Sequence, residues 1–144
     1  MPLLNYTTKV PVYRSVQEIQ KALVKAGASS IMQDFDEEGA VSAIAFKISL
    51  NGQDISFRLP SETKAVLAVM QQDGTPRQYL TEEHAQRVAW RIIKDWIEAQ
   101  MAIVQTKMVT LPQVFLPYAV NHEGRTLYEL VAENPRLLLG GSNG

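Results

Sequence analysis

The chain has 144 residues, 46% hydrophobic and 20% charged, with 14 Lys+Arg against 15 Asp+Glu and a net charge of -1. This composition suits one globular domain and excludes global disorder, while the balanced charge removes the simplest case for a wholesale DNA or membrane binder, which carries a basic excess. There is no cysteine, so disulfides, thiolate metal sites and thiol nucleophiles are excluded.

Met1 to Asn5 lack a positive region followed by an apolar core, and no apolar run approaches the ~20 residues of a membrane span; the expected compartment is the cytoplasm. Leu4, Tyr6, Thr8 and Val10 alternate with Asn5, Thr7 and Lys9, the period of a half-buried strand, and Pro11 ends it. Ser15-Val16-Gln17-Glu18 reads as a capping box with Ser15 as N-cap. A helix follows, with Val16, Ile19, Leu23 and Ala26 as its stripe and Gly27 as its left-handed stop.

Ser29 to Phe35 begin a run of strands, and Asp36-Glu37-Glu38-Gly39 reads as a hairpin loop. Ile44, Phe46, Ile48 and Leu50 alternate with small and polar residues, as do Ile55, Phe57 and Leu59 beyond Asn51-Gly52. That dipeptide favours a two-residue turn because both residues tolerate positive φ. The turn fixes the register: Ile48 opposes Ile55, Phe46 opposes Phe57 and Ala45 opposes Arg58. Pro60-Ser61 open a helix to about Gln72, with Ser61 as cap and Val66, Val69 and Met70 as its stripe, before Asp73-Gly74-Thr75-Pro76 break it.

The longest helix starts at the cap Thr81, carries Glu82 and Glu83 where the helix dipole favours acids, and runs to about Gln105. At 100° per residue, Ala85, Ala89, Ile92, Trp96, Ala99 and Ile103 form a core stripe. Trp90, Ile93, Ile97, Met101 and Val104 form a second apolar arc, leaving Arg87, Arg91, Lys94, Asp95, Glu98 and Gln105 as the polar face. Such a helix needs cover on two sides, and the second arc argues for a homodimer. Thr110-Leu111-Pro112 and the capping box Thr126-Leu127-Tyr128-Glu129 open two short helices, the second ending by Asn134-Pro135. The expected fold is α+β: an antiparallel β-meander in the order β-α-β-β-β, packed against a long C-terminal helix with short terminal helices. Residues 1-139 form one domain and 140-144 a flexible tail.

The sequence assembles no catalytic site, metal site or cofactor motif. His84 and His122 lack the spacing of a two-histidine metal helix, and the acids of Asp36 to Glu38 read as a solvated turn. On the long helix Glu83 with Arg87, Arg91 with Asp95, and Lys94 with Glu98 are i,i+4 pairs that describe a self-neutralised, solvated face. The outer face of the hairpin, with Lys47, Ser49, Ser56 and Arg58, offers cations and hydroxyls with few acids, and Lys9 of the first strand joins it. Arg125 precedes the cap Thr126, where free backbone N–H groups and a guanidinium converge.

Several segments, Tyr6-Thr7-Thr8-Lys9, Phe57-Arg58-Leu59-Pro60, Arg87 to Trp96, Val114 to Tyr118 and Arg125 to Glu129, are together similar to a small uncharacterised protein family of bacterial phages and other mobile elements. The resemblance spans about Tyr6 to Glu129. It implies a phage or mobile-element setting and assigns no activity, ligand or catalytic residue. The expected function is non-enzymatic binding of a phosphate-bearing ligand, a nucleic acid or a nucleotide signal, through Lys9, Lys47 and Arg58, with Arg87, Arg91 and Arg125 as further candidates. The alternative is a module that inhibits or scaffolds a host protein through an apolar helix face.

Overall fold

A computed structural model describes residues 2–140. The chain is α+β: one antiparallel sheet of four strands, β1 (Ser30–Phe35), β2 (Val41–Leu50), β3 (Gln53–Pro60) and β4 (Ala119–Val120), in that spatial order. Six helices accompany it: α1 (Val12–Lys25), α2 (Thr63–Gln72), α3 (Glu82–Gln105), α4 (Leu111–Phe115), α5 (Leu127–Glu133) and α6 (Arg136–Leu139). Gly140 closes α6 in the left-handed conformation, and the remainder of the expected tail lies outside the described residues.

The hairpin between β2 and β3 follows from its turn. Asn51 and Gly52 have φ of 52° and 82°, which sets Ile48 against Ile55, Phe46 against Phe57 and Ala45 against Arg58. The Phe46 and Phe57 rings stack at 5.2 Å, and the Phe115 ring meets Phe46 edge-on at 5.6 Å. Val16, Ile19 and Leu23 of α1, Trp90 and Ile97 of α3, and Leu111 and Phe115 of α4 close over these rings to make the core.

Leu4 to Val10 form no strand. Asn5 has a positive φ of 64°, and the segment makes two turns in which Tyr6 N–H donates to the Leu3 carbonyl and Thr8 N–H to that of Asn5. Alternating hydrophobicity is present, but a left-handed asparagine cannot continue an extended ladder. The fourth strand comes instead from the two residues Ala119 and Val120, pairing with Phe57 and Ser56.

Helix α1 starts earlier than its serine suggests. Pro11, fixed near φ -67°, is the N-cap and supplies no side-chain bond, so Ser15 already lies inside the first turns. Ser61 likewise is no cap: its N–H donates to the Ser42 carbonyl and α2 begins at Thr63 after Glu62. Thr81, Thr110 and Thr126 do cap their helices, each accepting from a backbone N–H three residues on.

Helix α3 buries the start of its expected core stripe, Ala85 and Ala89, and part of the second arc as well. Trp90 and Ile97 of the second arc are fully buried, together with Ala85, Val88 and Ala89, whereas Ala99 and Ile103 of the expected core stripe are exposed. The last turns outrun their cover. Met101 and Ile93 pack on the core, and Trp96 of the expected core stripe meets Phe115 and Tyr118 edge-on at 5.4 and 5.6 Å, so one chain covers much of the second arc while Val104 stays partly exposed.

The Trp90 indole N–H donates to the Val41 carbonyl at 3.1 Å, fastening α3 to the sheet. Trp90→Phe keeps most of the packing but leaves that carbonyl without its donor, so unfolding free energy should fall by about 1–3 kcal/mol in a urea titration.

Candidate functional site

Segment 2–11 is held against α3 by side chains rather than by a ladder. Asn5 Nδ2 donates to Asp95 Oδ2 at 2.8 Å, and His84 Nε2 lies 2.6 Å from the Tyr6 carbonyl. A carbonyl only accepts, so His84 carries its proton on Nε2 and turns the Nδ1 lone pair to Arg87 Nη2 at 3.3 Å. The Tyr79 ring, on the 3-10 turn Arg77–Tyr79, lies 5.8 Å from Tyr6 edge-on and 5.1 Å from the His84 ring.

These contacts wall a cleft of about 460 Å³ lined by Thr7, Thr8, Lys9, Pro11, Gln78, Tyr79, His84 and Arg87. Two of the six candidate cations, Lys9 and Arg87, thus meet although 78 positions separate them (87 less 9). Arg87 is also 3.3 Å from Glu83, but that carboxylate is mostly exposed and such a pair contributes little. The cleft holds two cationic side chains, two hydroxyls, an amide and a phenol, the donor set that grips phosphate oxygens. Thr7, Thr8, Pro11, Gln78, Tyr79 and His84 are the members the sequence reading missed, because nothing in local spacing links residues 7–11 to 78–87.

The other candidates are spent on the protein itself or stand apart. Asp34 of β1 lands on the outer sheet face, and Arg58 Nε donates to its Oδ2 at 3.3 Å, passing over small Ala43 and Ala45. The outer face therefore holds a matched pair where cations with few acids were expected. Lys47 is exposed on that face, away from the cleft. Lys9 does not join it, because the segment carrying it is no strand.

Arg91 turns away from Asp95 and binds Glu18 Oε2 of α1 at 2.7 Å, with the Ser15 hydroxyl at 3.4 Å. Lys94 reaches Glu98 at 2.9 Å, Asp95 at 3.5 Å and Glu18 at 3.8 Å, and its side chain is only 11% exposed. The residues read as a capping box thus form the α1 half of an ion cluster. Arg91 and Lys94 belong to an inter-helix joint, whereas the expected Glu83–Arg87 and Lys94–Glu98 pairs form along the helix and Glu98 and Gln105 stay exposed. Glu18→Gln withdraws the carboxylate that serves both Arg91 and Lys94, so it should cost about 1–2 kcal/mol in a denaturant titration, more than the exposed-pair variant Glu83→Gln.

Arg125 is engaged by α5. Its Nη1 donates to Glu133 Oε2 at 2.8 Å, its other terminal nitrogen contacts Oε1, and its Nε lies 3.7 Å from Glu129. The hydrogen bonds hold the Glu133 carboxyl below its ordinary value and raise the Arg125 guanidinium. A carboxyl with a depressed folded pKa stabilises above its unfolded value, and that contribution is lost as pH falls through the folded one. Glu133 should titrate below a free glutamate in an NMR pH series, and Arg125→Gln should return it to the ordinary range.

Among the described residues no cluster of three or more metal-ligating side chains occurs, and no helix is long and apolar enough to cross a membrane. No protein-family model matches the chain, and no curated protein or solved structure matches it.

Proposed function

We propose that the protein binds a phosphate-bearing ligand of nucleotide size in the cleft between segment 7–11 and the start of α3. The carrying observation is the convergence of Lys9 and Arg87 with Thr7, Thr8, Gln78 and Tyr79 around one concavity. Its volume suits a mononucleotide or the phosphorylated end of an oligonucleotide, since small-ligand sites span about 300–1,000 Å³. Lys9 and Arg87 supply the charge, the threonine hydroxyls and the Gln78 amide donate to phosphate oxygens, and the Tyr79 ring flanks the rest of the ligand. His84 serves as a positioning residue, holding the Tyr6 carbonyl on one side and Arg87 on the other.

The reading is of a non-enzymatic binder, a cytoplasmic accessory that sequesters or senses such a ligand, in the phage or mobile-element setting that the sequence resemblance implies. The alternative, docking of a host protein on the apolar arc of α3, has less surface to use, because Trp90 and Ile97 are buried inside the chain and only Ile93, Met101 and Val104 stay partly exposed.

The test is titration calorimetry with ATP and with a 5′-phosphorylated dinucleotide. Lys9→Gln and Arg87→Gln should each weaken binding at least tenfold, whereas Lys47→Gln, on the sheet, should leave it unchanged. Affinity should fall as salt rises, because two cations meet the phosphate. Absence of binding to either compound, or loss through Lys47→Gln rather than Lys9→Gln, overturns the assignment.

A further inference from the structure

Strand β1 forms one edge of the sheet, with β2 on one side and, among the described residues, no strand on the other. An edge strand turns a row of N–H and C=O groups outward, and proteins guard such rows with lysine, proline or brevity. The opposite edge, β4, has two residues. β1 has six, Ser-Ile-Met-Gln-Asp-Phe, with neither lysine nor proline. Its register against β2 shifts only between Asp34 and Phe35, so Ser30 to Asp34 pair regularly.

The groove beside this edge is uncharged, while charge gathers at the two ends of the strand: Lys47 opposes Ser30, and Asp36, Glu37 and Glu38 follow Phe35. The groove between α1 and β1 is lined by eleven residues, Tyr13, Gln17, Gln20, Gln33 and Phe35 among them, and none of the eleven is charged. Tyr13, Gln17, Gln20 and Val24 recur at helical spacing and so share one side of α1. Tyr13 is 75% exposed, Val24 59%, Met32 61% and Phe35 60%. The one charge on β1, Asp34, is held by Arg58 on the far face of the sheet. Large apolar side chains, amides and no charge describe the centre of a protein interface.

We infer that the β1 edge and the adjoining uncharged side of α1 bind a second copy of this chain, β1 pairing antiparallel with β1 of the copy to make a continuous eight-stranded sheet. Antiparallel pairing brings the acidic end of one strand, Asp36 to Glu38, toward the lysine end of the other, where Lys47 opposes Ser30, so the edge is complementary in charge to its own copy. Directly opposed residues of an antiparallel pair share a face, so the two-fold axis runs through a Met32–Met32 or a Gln33–Gln33 pair. In the first register Asp34 opposes Ser30, in the second Met32, and in neither does the strand's charge oppose itself. The same axis sets α1 beside α1 of the copy, covering Tyr13 and Val24.

The chain has no cysteine, so single introduced thiols report the register cleanly. The wild-type protein should have a light-scattering mass twice the 16.1 kDa of the chain. Under mild oxidation either Met32→Cys or Gln33→Cys should cross-link to a disulfide dimer, while the equally exposed control Tyr128→Cys should not. Val24→Lys with Phe35→Lys, two changes at exposed positions, should raise the dimer dissociation constant at least tenfold without lowering the melting temperature of the monomer. A monomer at high concentration overturns the inference, as does a dimer that neither thiol at β1 captures. A monomer whose β1 amides gain exchange protection only when an extended peptide is added would give the edge to another chain, and overturns it equally.

Discussion

Cover for α3 is the constraint on which this fold turns. A 24-residue helix with apolar groups over more than half its circumference cannot stand in water, and one sheet face is too narrow to hide it. The solution has three parts. The sheet takes Trp90 and Ile97, α1 lies along the polar flank, and the aromatic residues of α4 and the turn after it close on Trp96. Glu18 joins α1 to α3, because its carboxylate compensates Arg91 and Lys94 at the place where α1 excludes water from them.

That joint also explains which cations remain for a ligand. Arg58, Arg91 and Arg125 each hold a carboxylate from a different element, Asp34, Glu18 and Glu133, and each contact fixes two elements together. Such cations are part of the scaffold. Lys9 and Arg87 differ in kind: the first is exposed, and the second has for company the neutral His84 ring and a solvent-exposed acid. The contrast between structural and available charge is an electrostatic one, visible only when the partners are known.

Much of the architecture was legible in the residues. The Asn51-Gly52 turn dictates the β2–β3 register because only left-handed-tolerant residues close a two-residue hairpin, and Thr81, Thr110 and Thr126 mark their helices because their hydroxyls meet bare N–H groups. The failures share one cause. Ser15-Val16-Gln17-Glu18 satisfies a local motif, yet Pro11 starts the helix first and tertiary partners claim both side chains. Leu4 to Val10 satisfy a strand pattern, yet Asn5 turns the chain and His84 takes the Tyr6 carbonyl. Of the eight residues that line the cleft, two were legible as candidate cations, Lys9 and Arg87. Their meeting was not, because it is made by a segment whose path is set by residues 78 to 95 along the chain.

The attachment of segment 2–11 carries a further consequence. A strand in a ladder leaves its sheet only when many bonds break together, whereas this segment is moored at Asn5 and Tyr6 by single side-chain bonds. It therefore belongs to the low-stability end of the molecule, where local opening precedes global unfolding. Thr7, Thr8 and Lys9 wall the cleft from that segment, so occupancy of the cleft and order of the chain's first residues are thermodynamically linked. Whatever fills the cleft also slows proteolytic trimming at its rim, and the cut rate at Lys9 becomes a gauge of how full the cleft is.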